Sequence, residues 1–270
     1  MKFFRWKKII KIESGDTILF KFVFKYKNLK KMIKILQNLT FFCLLFTFFS
    51  CTSSNEITIT KVEGSPSYEN AKLSMADVVK GDNEYSFSFE LSNYELGIQT
   101  KNDFDYRLAN SGKGQHIHFI VNNDPYSAHY SSKFSKEVQE GDVLLAFLSR
   151  SHHESVKNPN AYVLKEVGDK NQIDLSNEFL FYSRPKGKYM GEDTNKLLLD
   201  FYLINTEISS EGNKVKATIN DNEFIIDEWV PYYIEGLPKG EIIIKLELID
   251  SNGILIDTPF NPSTRTVTLE

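Results

Sequence analysis

The chemistry of this chain is concentrated in five imidazoles. His116, His118, His129, His152 and His153 are the whole histidine complement of 270 residues, and Glu154 follows directly. On a strand, side chains at i and i+2 share a face. The run Gly114-Gln115-His116-Ile117-His118-Phe119-Ile120-Val121-Asn122 therefore sets His116, His118 and Ile120 on one side, with Ile117, Phe119 and Val121 on the other. Neutral imidazole binds Cu(II), Zn(II) or Ni(II). His116, His118, His152 and His153 are the candidate metal ligands, Glu154 and His129 are auxiliary, and Cu or Zn is the candidate ion. No Cys or Met accompanies the group, which argues against a blue-copper centre. His153-Glu154-Ser155-Val156-Lys157 carries Lys157 where a zinc-protease helix needs its second His. Three other readings compete: a satisfied polar surface cluster, a pH-sensitive contact, and an anion site made by His⁺ with Arg150 and Lys157.

A second copy of the strand bears on the face question. Gly212-Asn213-Lys214-Val215-Lys216-Ala217-Thr218-Ile219-Asn220 repeats the glycine, the apolar positions and the asparagine. Lys214 and Lys216 stand where the first copy has His116 and His118. Lysine almost never takes a core position unpaired, so the two histidines are expected to face water. If 115–122 pairs antiparallel with 142–150, the start of one lies beside the end of the other. Ser149-Arg150-Ser151-His152-His153-Glu154 then comes close to His116, where the second copy has the plain turn Asp250-Ser251-Asn252-Gly253. His129 is expected at the opposite end unless its loop folds back.

The repeat extends further. Phe87–Asn93 answers Leu199–Asn205, Gly141–Leu145 answers Gly240–Ile244, and Lys157–Asn160 answers Phe260–Ser263, all in the same order. Short alternating runs such as Tyr85–Leu91 are separated by turn clusters such as Gly81-Asp82-Asn83. The pattern predicts an all-β fold of two tandem Ig-like antiparallel β-sandwich modules, 57–168 bearing the histidines and 169–270. Val143–Phe147 reads as a buried run. Phe179–Gly187 reads as a strand whose rings pack the second core or the module interface. Tyr68–Lys80 is the one helical candidate outside the N-terminus.

The N-terminus reads as a targeting segment. Residues 1–31, with ten Lys or Arg, are expected to be an over-called extension, and 32–51 are expected to form a signal helix with an apolar run from Leu39 to Phe49. Ser50-Cys51 then closes it, and 52–56 are a polar tether. The segment resembles lipoprotein leaders, which implies lipidation of Cys51, a membrane partner reached through that lipid, and a place in a bacterial cell envelope. Both cysteines, Cys43 and Cys51, fall in this leader, so the body has no disulfide. Residues 52–270 carry 21 basic and 34 acidic side chains, a net −13 against −4 for the whole chain. That charge repels phosphate backbones and excludes a nucleic-acid partner.

Gly-x-His-x-His followed by an aliphatic strand and Asn resembles a family of small exported β-sandwich domains of unknown function. Their signature is a Gly-His-His-His-Leu-Leu-Ile-Asp strand, a later Gly-led strand, and a His-containing turn before a Pro. Gly114, His116, His118, Gly141, His153 and Pro159 match it; Ile117 and Asn122 depart from it. The chain is also similar to lipoproteins labelled "phosphopeptide-binding". Phosphate recognition wants an Arg cluster, and in the linear sequence Arg150 and Arg184 stand alone. No Gly-x-Ser-x-Gly elbow, P-loop or dinucleotide fingerprint is present. The expected function is a non-catalytic binding lipoprotein whose surface histidine cluster takes a divalent metal or small ligand. The alternative is a structural or protein-interaction lipoprotein, peptide- or phosphopeptide-binding, with no metal.

Overall fold

A computed structural model describes residues 56–101 and 106–270. The expectations placed on 1–55, including the signal helix and Cys51, lie outside the described residues. No described helix is long and apolar enough to cross a membrane. The strands in chain order are β1 (Thr58–Lys61), β2 (Lys72–Lys80), β3 (Tyr85–Ser92), β4 (His116–Val121), β5 (Ser127–His129), β6 (Lys133–Lys136), β7 (Val143–Ser149) and β8 (Tyr162–Glu166). The second half follows with β9 (Phe179–Arg184), β10 (Gly187–Tyr189), β11 (Lys196–Ile204), β12 (Lys214–Ile219), β13 (Asn222–Ile226), β14 (Tyr232–Glu235), β15 (Gly240–Ile249) and β16 (Ser263–Leu269).

These strands form four sheets, β2-β3-β6, β5-β4-β7-β8, β1-β14-β11-β9 and β10-β16-β15-β12-β13. The architecture is all-β, in two tandem β-sandwich modules. The first core joins Phe87 and Phe89 of β3 to Phe119, Leu144, Ala146 and Leu148 of the facing sheet. The second joins Leu197, Leu199 and Phe201 to Val215, Ala217, Ile242 and Ile244. A third apolar layer lies between the modules. There Ile120, Val143, Leu145 and Phe147 meet Phe179, Phe181, Tyr202 and Ile204. Both middle sheets are thus covered on both faces, which is why β7 and β9 read as continuous apolar runs rather than alternating ones. Burying a Phe in such a layer stabilises the fold by roughly 1.5–3 kcal/mol.

The duplicated asparagines explain why the copies keep their register. Asn122 and Asn220 both take a left-handed backbone, at φ 48° and 50°. Each accepts from the first partner of the facing strand, Val143 N–H at 2.8 Å and Ile243 N–H at 3.0 Å. Asn93 and Asn205 end their matched strands at φ 55° and 56°. Asn tolerates this region better than most side chains. One strand does not stay with its neighbours in sequence: β1 pairs with β14 of the second module.

The helix expected over Tyr68–Lys80 is not formed; Lys72–Lys80 is β2. A bulge between Met75 and Asp77 breaks the two-residue alternation. The bulge leaves apolar Met75 and Val78 three residues apart, a spacing that a helix also uses.

Candidate metal centre

β4 pairs with β7 antiparallel in the expected register, with His116 opposite Ser149 and His118 opposite Phe147. The end of β7 therefore delivers the turn Arg150–Glu154 to the start of β4. Arg150 N–H bonds Glu154 O at 2.8 Å and His153 N–H bonds Arg150 O at 2.9 Å, closing the turn. His153 sits in it at φ 69°.

His116 and His118 point away from the first module's core, as the lysines of the second copy imply. The expectation that they face water is overturned: both are 0% exposed. The second module's β9 sheet covers that face. Lys214 and Lys216 escape this fate because β12 lies in an outer sheet, where Lys216 pairs with Glu247 at 3.1 Å. The cluster is therefore buried at the joint of the modules and is not a surface cluster.

Three ring nitrogens converge there. His118 Nε2 lies 2.9 Å from His116 Nε2, and His153 Nδ1 lies 3.1 Å from the same His116 Nε2. One ligand atom from each of the three residues falls within 4.8 Å of the others, a group that could hold a metal ion. The surroundings fix the rings. His116 Nδ1 lies 2.8 Å from Gly114 O; a carbonyl only accepts, so Nδ1 carries the proton and Nε2 the lone pair. His118 Nδ1 lies 3.3 Å from Ser183 Oγ of the second module. Tyr126 stacks on His118 with centroids 3.4 Å apart, and its hydroxyl is 3.2 Å from His153 Nδ1. His153 is half-buried and forms the side of the centre nearest solvent.

All three imidazoles are held neutral. Burial pushes His116 down to about 4, aided by Arg184 and Lys186. Burial also places His118 and His153 well below the usual histidine range, with neighbouring imidazoles and Arg184 acting in the same direction. Neutral rings keep the lone pairs that a metal needs.

The other candidates go elsewhere. His152 turns from the group: its Nε2 lies 3.0 Å from Glu154 Oε2 and its ring stacks on Tyr106. Glu154 pairs with Arg150 at 2.9 Å. Burial raises the Glu154 carboxyl, but His152, Arg150 and Lys157 outweigh this and hold it below its usual value. His129 lies on the other face of the sheet, stacked on Phe134 at 3.5 Å. Its loop does fold back, since His129 pairs with Ile117 in β5, but the alternation of β4 puts Ile117 on the core side. Tyr126, Ser183, Arg184 and Asp200 bear on the site with no signal in the linear sequence. Asp200 of β11 bonds Ser155 Oγ at 3.0 Å and pairs with Lys157, clamping the histidine turn to the second module.

No family model matches the chain, and no curated protein does. Solved structures of repeated β modules do. The fibronectin(III)-like modules of Clostridium thermocellum CbhA are 13% identical, covering 73% of this chain and 94% of theirs at a TM-score of 0.27. The central fibronectin-III array of RIM-binding protein is 10% identical, covering 77% and 71% at 0.23. Domains 7, 8 and 9 of the S-layer protein SbsC are 12% identical, covering 71% and 58% at 0.20. At such scores the assignment of tandem sandwiches rests on the strand pairing itself.

Proposed function

We propose that this protein is a non-catalytic binding protein whose centre at His116, His118 and His153 takes one Cu(II) or Zn(II) ion at the joint between its modules. One observation carries the reading. His116 Nε2 offers a single lone pair, yet two other ring nitrogens stand 2.9 and 3.1 Å from it. Its one lone pair accepts one hydrogen bond, and a second unprotonated nitrogen at that distance is repelled. A shared cation serves all three. Two imidazole nitrogens each ~2.0–2.1 Å from one ion are themselves ~3 Å apart.

The ligand set selects the ion. Arg184 and Lys186 oppose any cation here, as they oppose protonation. Hard ions held by charge alone are disfavoured, and ions with strong imidazole bonds are favoured. Catalysis is not part of the reading. The Ser183–His118 contact pairs a hydroxyl with an imidazole, but both residues are 0% exposed, which supports a positioning role for it. A lipid on Cys51 would hold this body to a bacterial envelope membrane, and Cys51→Ser releasing the chain from the membrane fraction is the check on that part.

Calorimetric titration of the metal-free full chain with Cu(II) and Zn(II) tests the centre. One saturable site is expected, lost when His116 and His118 are replaced by Ala. No heat, or heat unchanged in the double variant, rejects the reading in favour of a purely structural or peptide-contacting protein.

A further inference from the structure

A second group of polar side chains lies about the rings of Tyr126 and Tyr182, and it uses no imidazole. Arg184 ends β9, Lys186 follows it, and Arg265 comes from β16. Arg184 is 8% exposed and Arg265 9%. One aromatic ring ties the first two together: the Arg184 guanidinium lies 5.4 Å, and Lys186 Nζ 3.8 Å, from the Tyr126 centroid. Arg265 lies 4.5 Å over Tyr182.

Their hydrogen bonds are incomplete. Arg184 Nη1 donates to Tyr189 Oη at 2.9 Å, and Arg265 Nη2 donates to Asn123 O at 2.8 Å. Arg184 Nε, Arg265 Nη1 and Tyr182 Oη are buried with no partner at all. Three orphaned donors in one neighbourhood are a costly feature for a fold to keep. The charges are as poorly matched as the hydrogen bonds. None of the three cations is in an ion pair with a carboxylate of the described residues; Arg265 senses Asp124 at longer range. Burial, then Arg184, Arg265 and Lys136, push the Lys186 ammonium down to about 8. All this stands in a body that is otherwise strongly acidic.

We propose that Arg184, Arg265, Lys186 and the Tyr182 hydroxyl form a site for a small tetrahedral oxyanion, phosphate or sulfate. A dianion matches two fixed guanidinium charges and an ammonium better than a monocarboxylate does, and it offers enough acceptors for every orphaned donor. The burial of the two arginines favours a small ion over an acidic chain. Residues from both modules contribute, since Asn123 and Tyr126 orient the arginines of the second. The separation of Arg184 from Arg265 along the chain hides the pair from sequence reading. The site requires no metal, so its test is independent of the histidine centre.

The experiment titrates phosphate and sulfate, at constant ionic strength in chloride, into the metal-stripped full chain. One saturable site is expected for each dianion, with acetate binding far more weakly. Lys186→Gln alters a half-buried side chain after the strand end, and thermal unfolding in chloride checks that it folds. It should bind about tenfold more weakly. Arg184→Gln should abolish the anion-dependent rise in Tm. Absence of saturable binding in the unmodified protein overturns the proposal. So does acetate binding equal to sulfate, or undiminished affinity in folded Lys186→Gln. Cu(II) titration of the same samples in chloride reports the histidine centre separately.

Discussion

His153 and Gly253 occupy the same left-handed position of the same turn, at φ 69° and 80°. The hydrogen bonds coincide as well: His153 N–H to Arg150 O is 2.9 Å, and Gly253 N–H to Asp250 O is 3.0 Å. Glycine takes this conformation freely, whereas a residue with a β-carbon is penalised by roughly 1–2 kcal/mol. The first module therefore holds an imidazole where its own sister shows that glycine serves the backbone better. Strain of this kind is found where a side chain has a task.

His153→Gly separates that task from packing. Stability should be unchanged or higher by up to about 1 kcal/mol, because relief of the backbone offsets the lost ring contacts. Metal affinity should fall by more than about a hundredfold, beyond what loss of an outer partner does. Urea unfolding and calorimetry read the two effects. A large loss of stability with metal binding intact would make His153 a packing residue.

Ser183→Ala tests whether the second module completes the centre. Ser183 Oγ orients the His118 ring from across the joint, at 3.3 Å. Affinity for Cu(II) or Zn(II) should drop by roughly tenfold or more, with little change in the unfolding midpoint.

Asp200→Asn should cost about 3 kcal/mol or more, since Asp200 is wholly buried against Lys157 and its loss leaves a half-buried ammonium uncompensated. Replacing both, Lys157→Met with Asp200→Leu, should recover most of that loss. Chemical denaturation of the single and double variants gives the comparison.

Acid should weaken the fold partly through His129. Burial, with Lys136, lowers its folded pKa to about 4 from an ordinary value of 6.5. The unfolded chain binds the proton first, so stability present above pH 6.5 is lost as pH falls toward 4. His129→Phe keeps the stack on Phe134 and removes the proton site. Its stability relative to the unmodified chain should rise between pH 8 and pH 5 in urea melts, and an unchanged difference would count against the assignment.

Residue alternation and the repeat were enough to give the all-β class and to pair β4 with β7, but not to read β2, which a bulge disguises. They also showed which side of β4 packs its own module, because Ile117 and Phe119 oppose His116 and His118 as Val215 and Ala217 oppose Lys214 and Lys216. Alternation reports which residues share a face. It does not report what covers the second face. The lysines of β12 sit on an outer sheet, so they were a sound guide to direction and a misleading one to solvent. The clue to burial lay in β7 and β9, whose every residue is buried.

What the tertiary structure alone decided was the membership of the sites. Stacking one module on the other closed Ser183 and Asp200 over the three converging histidines and their turn, while folding within the second module brought Arg184 and Arg265 around Tyr182. Such contacts join residues far apart in the chain, held by a shared apolar layer rather than by any local spacing. That layer, not the linear pattern, buries the imidazoles and keeps them neutral.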